Sequence, residues 1–134
     1  YQLDGLSWVE GFRLEVIRGS DMLDGSIEAP GASLIVQPIS ESTYRRADGV
    51  PLVIRWKDER NAGATSTQIR LEKAKIDRAI PPGVFELRID SAELRVDDKE
   101  KVRVERRNEV ALAGGAAGSL LSASTEHSIE FSVE

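Results

Sequence analysis

Ser128-Ile129-Glu130-Phe131-Ser132-Val133-Glu134 alternates polar and apolar side chains without a break. In an extended chain successive side chains point to opposite faces, so Ile129, Phe131 and Val133 share one face and the polar residues share the other. That rhythm predicts a β-strand with one face buried and one wet. The same pattern recurs upstream. Phe12, Leu14 and Val16 are separated by Arg13 and Glu15. Val50, Leu52, Ile54 and Trp56 line another face, and Phe85, Leu87 and Ile89 alternate with Glu86, Arg88 and Asp90.

Working outward from these strands, Leu94-Arg95-Val96 and Val102-Arg103-Val104 flank the polar Asp97-Asp98-Lys99-Glu100, which reads as a β-hairpin with a short loop. Within Ala32–Gln37, Leu34-Ile35-Val36 puts three apolar residues in a row. This suits a strand buried on both faces or one crossing a bulge, and Pro38, which lacks a backbone donor, is expected to end it or to mark an edge. Thr67–Ile80 supports two readings. Ile69 and Leu71 fit a strand, while Ile69, Lys73, Ile76 and Ile80 share a helical face. The segment is read as a strand to about Leu71 and a short helical turn over Lys73–Ala79, closed by Pro81-Pro82-Gly83.

Turn residues recur at Asp4-Gly5, Gly19-Ser20-Asp21, Asp24-Gly25, Pro30-Gly31, Asp48-Gly49 and Pro82-Gly83. Their spacing predicts an all-β, antiparallel β-sandwich of seven to nine strands, immunoglobulin-like or jelly-roll-like, with at most one short helix. Ala113-Gly114-Gly115-Ala116-Ala117-Gly118 is read as a flexible loop of small residues. No internal repeat or linker divides the chain, so 1–134 is expected to be one sandwich domain.

Composition narrows the chemistry. Aromatics are 5% of the chain, so aliphatic side chains must fill the core. The net charge of −5 argues against nucleic acid as a partner, because phosphate binding needs clustered positive charge. Arg103, Arg106 and Arg107, and Arg45 with Arg46, are the densest basic groups. Glu105 and Glu109 interleave with the first, so both are read as solvated strand faces. With no cysteine, thiolate catalysis and cysteine-based metal sites are excluded. No apolar run approaches the ~18 residues of a membrane span, so no membrane insertion is expected.

His127 is the only histidine and reads as a surface residue ahead of the last strand. Ser124, Thr125 and Glu126 beside it do not make a triad, whose members must converge in space. Ser20–Ser26 and Asp97–Glu100 gather oxygens that calcium favours, but neither has full ligand spacing and Lys99 would repel a cation, so they read as solvated turns. Gly114–Ser119 lacks the Lys-Ser/Thr of a phosphate loop. No catalytic, cofactor-binding or metal-ligating residue is therefore nominated. Trp8 and Tyr44 remain as possible ligand-facing rings.

Three segments in order resemble immunoglobulin-like modules of phage tail and baseplate proteins. Leu14–Asp21 is similar to their opening strand and turn, Asp48–Leu52 to an internal hairpin turn, and Ala79–Ile89 to a late proline–glycine–aromatic strand that follows a short helical turn. The resemblance covers under a third of the chain and implies a non-enzymatic assembly role in a virion, with a virion or extracellular setting. The function expected on this basis is a structural module that contacts other protein subunits, as a homo-oligomer or within a larger assembly. A carbohydrate-binding or adhesive module using Trp8 and Tyr44 is the first alternative. A small carboxylate-dependent hydrolase is the second.

Overall fold

The computed structural model describes residues 11–18, 21–58, 64–116 and 118–134. Trp8, the opening turn at Asp4-Gly5, Gly19-Ser20 and the side chains of Phe12, Leu14 and Val16 lie outside what it describes. The described chain forms strands β1 (Gly11–Arg18), β2 (Asp21–Glu28), β3 (Ser33–Gln37), β4 (Thr43–Tyr44), β5 (Leu52–Asp58), β6 (Ser66–Leu71), β7 (Ile76–Ile80), β8 (Glu86–Ile89), β9 (Asp97–Ala111) and β10 (Leu120–Val133). The only helical pieces among the described residues are 3-10 turns at Arg46–Asp48 and Ser91–Glu93.

Two sheets pack together in a sandwich-like, all-β fold. One is five-stranded in the order β4-β10-β9-β6-β7 and the other three-stranded in the order β3-β5-β8. The β1–β2 hairpin forms a further sheet. It joins the far end of the β9–β10 hairpin through paired backbone bonds between Asp24 and Ala113.

The alternating rhythm explains the core. Leu52, Ile54 and Trp56 of β5 and Ile89 of β8 face Ile69, Leu71, Val102, Val104, Phe131 and Val133 of the larger sheet, all buried. Burying such aliphatic and aromatic side chains contributes ~1.5–3 kcal/mol each. Val50 falls outside β5 and is exposed. Phe85 precedes β8 and keeps 43% of its surface in solvent, tilted against the Trp56 ring at 6.4 Å. The apolar triplet in β3 crosses a bulge: its register with β5 shifts between Ile35 and Gln37, leaving Ile35 buried and Val36 exposed.

Two expected local structures differ from those observed. Lys73–Ala79 is not a helical turn: Ile76–Ile80 is strand β7, paired with β6 from Thr67↔Ile80 to Leu71↔Ile76. The reversal lies in residues 72–75, with Lys75 at φ 56, so the apolar spacing that imitated a helical face belongs to two strands. The Leu94–Val104 hairpin is also replaced. Leu94 is a buried coil residue after a 3-10 turn whose N-cap, Asp90, accepts the Ala92 N–H at 2.9 Å.

Asp97–Glu100, expected as a loop tip, begins the fifteen-residue strand β9. Glu100 faces the core and is fully buried, because three backbone N–H groups satisfy its carboxylate: Lys73 at 2.9 Å, Ala74 at 2.8 Å and Lys101 at 2.9 Å. The hairpin partner of β9 is β10, joined to it by the Ala/Gly segment. That segment is tied at its base by the Leu112 N–H to the Ser119 carbonyl at 3.1 Å.

Candidate functional site

Tyr44 lies on β4 and lines a groove of about 660 Å3 between the ends of the two sheets. Its ring is half-buried against the core, and its hydroxyl donates to the Val50 carbonyl at 2.5 Å. Burial raises its pKa above the ordinary tyrosine value, and the Asp90 carboxylate acts in the same direction. Val36, Ile39 and Val50 present exposed apolar surface along the groove, Ile39 most of all at 73%. The groove is open and presents more apolar than polar surface, which suits contact with another apolar surface better than chemistry on a small molecule.

A second hollow, of about 620 Å3, opens between β2 and β9. Glu28 and Glu109, both exposed, stand on its wall beside Arg13 and Asn108. Asn108 serves structure here: its oxygen accepts the Thr65 N–H at 2.8 Å, and its nitrogen donates to the Glu28 carbonyl at 3.0 Å.

Two nearly buried ionisable side chains form a node between the sheets. Arg106 of β9, expected on a solvated face, is 5% exposed and pairs with Asp58 at the end of β5, 2.7 Å away. Its Nη1 also donates to the Gly31 carbonyl at 3.2 Å. The hydroxyl of Thr125, opposite Arg106 on β10, donates to the same carbonyl at 3.1 Å. Gly31 is needed for this approach, since a Cβ there would overlap an Asp58 carboxylate oxygen. Among the described residues the buried Ser33 hydroxyl and Arg106 Nε have no hydrogen-bond partner.

Two residues further along, His127 is half-buried within β10, not on the surface ahead of the last strand as its sequence context suggests. Its Nδ1 accepts the Ile35 N–H at 3.1 Å, which ties β10 to the edge of β3 and places the ring proton on Nε2. These contacts fasten the two sheets together.

Three of the carboxylates considered for calcium are engaged locally. Asp24 pairs with Arg13 at 3.2 Å, Asp97 accepts the Lys99 N–H at 2.9 Å, and Glu100 is enclosed as described. Among the described residues no group of three or more His, Asp or Glu converges in a way that could hold a metal ion. Of the two basic clusters, Arg103 pairs with Glu72 and Glu126, Arg107 with Glu105 and Glu109, and Arg45 with Glu134. Arg46 donates to the Ser91 carbonyl at 3.2 Å. No helix among the described residues is long and apolar enough to cross a membrane.

Sequence reasoning missed Arg106 and Glu100, although the signal was present. Both fall in phase with Val102 and Val104, so the two-residue period of β9 already assigned them to the buried face. Comparison with known protein families, with curated proteins and with solved structures returns no match.

Proposed function

We propose that this chain is a non-enzymatic structural module that acts through contacts with other protein subunits. The observation that carries this reading is the exposed aliphatic surface of Val36, Ile39 and Val50 along an open groove between the sheet ends. Exposed apolar side chains gathered in one place are what a protein partner covers. The buried polar groups support the reading from the other side. Asp58, Glu100 and His127, the side chains whose placement would matter most for catalysis, make bonds that hold strands and sheets in place. Ion pairing across both arginine clusters is the reason the reading does not include nucleic acid.

The likeness of Leu14–Asp21 and Ala79–Ile89 to phage tail and baseplate modules extends the reading to a virion as the setting. Asp48–Leu52 does not form the internal hairpin turn of that likeness. It connects β4 to β5 across the two sheets, and Ala79–Ile89 passes from strand β7 to strand β8 without a helical turn. The test is native mass spectrometry over rising concentration. Self-association is the expected result, and a chain that stays monomeric at high concentration would refute the reading.

A further inference from the structure

The three-stranded sheet ends at β8, and the pairing pattern shows which backbone groups that edge offers. The Trp56 N–H donates to the Phe85 carbonyl at 3.2 Å, one step beyond the registered pair Arg55↔Glu86. Bonded and non-bonded pairs alternate along an antiparallel ladder. Phe85, Leu87 and Ile89 therefore turn their backbone groups toward β5, while Glu86 and Arg88 turn theirs outward. Among the described residues no strand occupies that outer side.

We infer that the β8 edge pairs with the β8 edge of a second copy of this chain, about a two-fold axis through Leu87. This deepens the assembly reading above and rests on it. In that register Glu86 lies opposite the partner's Arg88, and Arg88 lies opposite the partner's Glu86. Both are bonded pairs, the type an open antiparallel edge requires. Glu86 and Arg88 stand on the solvent face, so each pairing sets unlike charges side by side.

Moving the axis to Glu86 sets that residue against its own copy. Moving it to Arg88 sets Arg88 against its copy and Glu86 against the partner's Asp90. Of these three registers, charge selects the one centred on Leu87. The same arrangement brings the half-exposed Phe85 opposite the partner's Ile89, covering a ring that the single chain leaves in water.

Sedimentation equilibrium over a concentration series tests this with two charge variants, each first checked for strand content by circular dichroism. Arg88→Glu and Glu86→Arg alone each place like charges at both pairs and should weaken self-association by about tenfold or more. Mixed together they place unlike charges at both pairs, so the mixture should associate as the unmodified chain does. Should Glu86→Arg fold poorly, Arg88→Pro removes an outward N–H without touching the β5 ladder and should be monomeric. Self-association equal in Arg88→Glu and the unmodified chain would overturn the β8 interface while leaving assembly through another surface intact. A chain that is monomeric throughout would overturn both readings.

Discussion

Replacing Arg106 by Met removes the cation from the node between the sheets at nearly constant side-chain volume. The Arg106 and Asp58 side chains are 6% and 8% exposed and lie 2.7 Å apart. At an effective dielectric constant suited to protein sites, their attraction is on the order of 6 kcal/mol. Taking each ion out of water costs several kcal/mol, so the intact pair contributes little net stability. Removing one member differs in kind, because Asp58 keeps its desolvation cost and loses the charge of Arg106. Arg106→Met is therefore expected to destabilise the fold by ~3–5 kcal/mol, a large part of the ~5–15 kcal/mol that holds a domain together. The double variant Arg106→Met/Asp58→Leu should recover much of that loss. Urea unfolding, followed through the fluorescence of the buried Trp56, provides the assay. An Arg106→Met variant within ~1 kcal/mol of the parent would refute the reasoning, as would strictly additive single losses in the double variant.

Three further outcomes follow from the contacts described. Glu100→Gln sets an amide N–H2 against backbone donors at the β6–β7 turn and should cost ~1–3 kcal/mol in the same assay; an unchanged midpoint would count against the carboxylate as the turn's acceptor. His127→Ala leaves the Ile35 N–H without its partner and should lower stability by ~1–3 kcal/mol. His127→Asn, whose side-chain oxygen can take the place of Nδ1, should restore part of it; equal losses in both would show that the bond contributes nothing.

The hydrogen bond from Arg88, aided by that from Arg55, holds the Glu86 pKa below the ordinary carboxylate value. Its contribution to stability is thus present above that ordinary value and is lost as pH falls through the lowered one. The stability difference between the unmodified chain and Glu86→Gln should therefore shrink with acidification, and salt should diminish it at neutral pH because the site is exposed. A difference independent of both pH and salt would contradict this account.

The sandwich was legible because one-sided burial imposes a period of two on β5, β8 and the end of β10, and aliphatic residues recorded it there. The first half of β10 was not legible. Ser122, Ser124 and Glu126 alternate with Ala123, Thr125 and His127, residues that a half-exposed strand tolerates but that carry little hydropathy contrast. At Thr67–Ile80 two short strands around a turn placed apolar residues at helix-like intervals, and only the pairing of β6 with both β7 and β9 separates the readings. Glu100 and Arg106 were masked by their charge: hydropathy assigns such residues to water unless a particular partner awaits them inside, and that partner comes from a distant part of the chain. Tyr44 was legible as a ring near the surface, whereas the use of its hydroxyl by Val50 depended on the course of the intervening loop.

The order in which strands meet sets the sequence of events during folding. The β9–β10 and β6–β7 ladders close between chain neighbours, so each can zip from its own reversal with little loss of chain freedom. The β3-β5-β8 sheet has no such shortcut, because β4 intervenes between its first two members and β6 and β7 between its last two. Those three strands must find one another across long stretches of chain, which places their docking in the slow, millisecond-to-second regime of non-local β-topologies. Until that step is complete, the apolar faces of the β9–β10 and β6–β7 hairpins stay bare, and the nascent chain is most vulnerable to clumping in that interval.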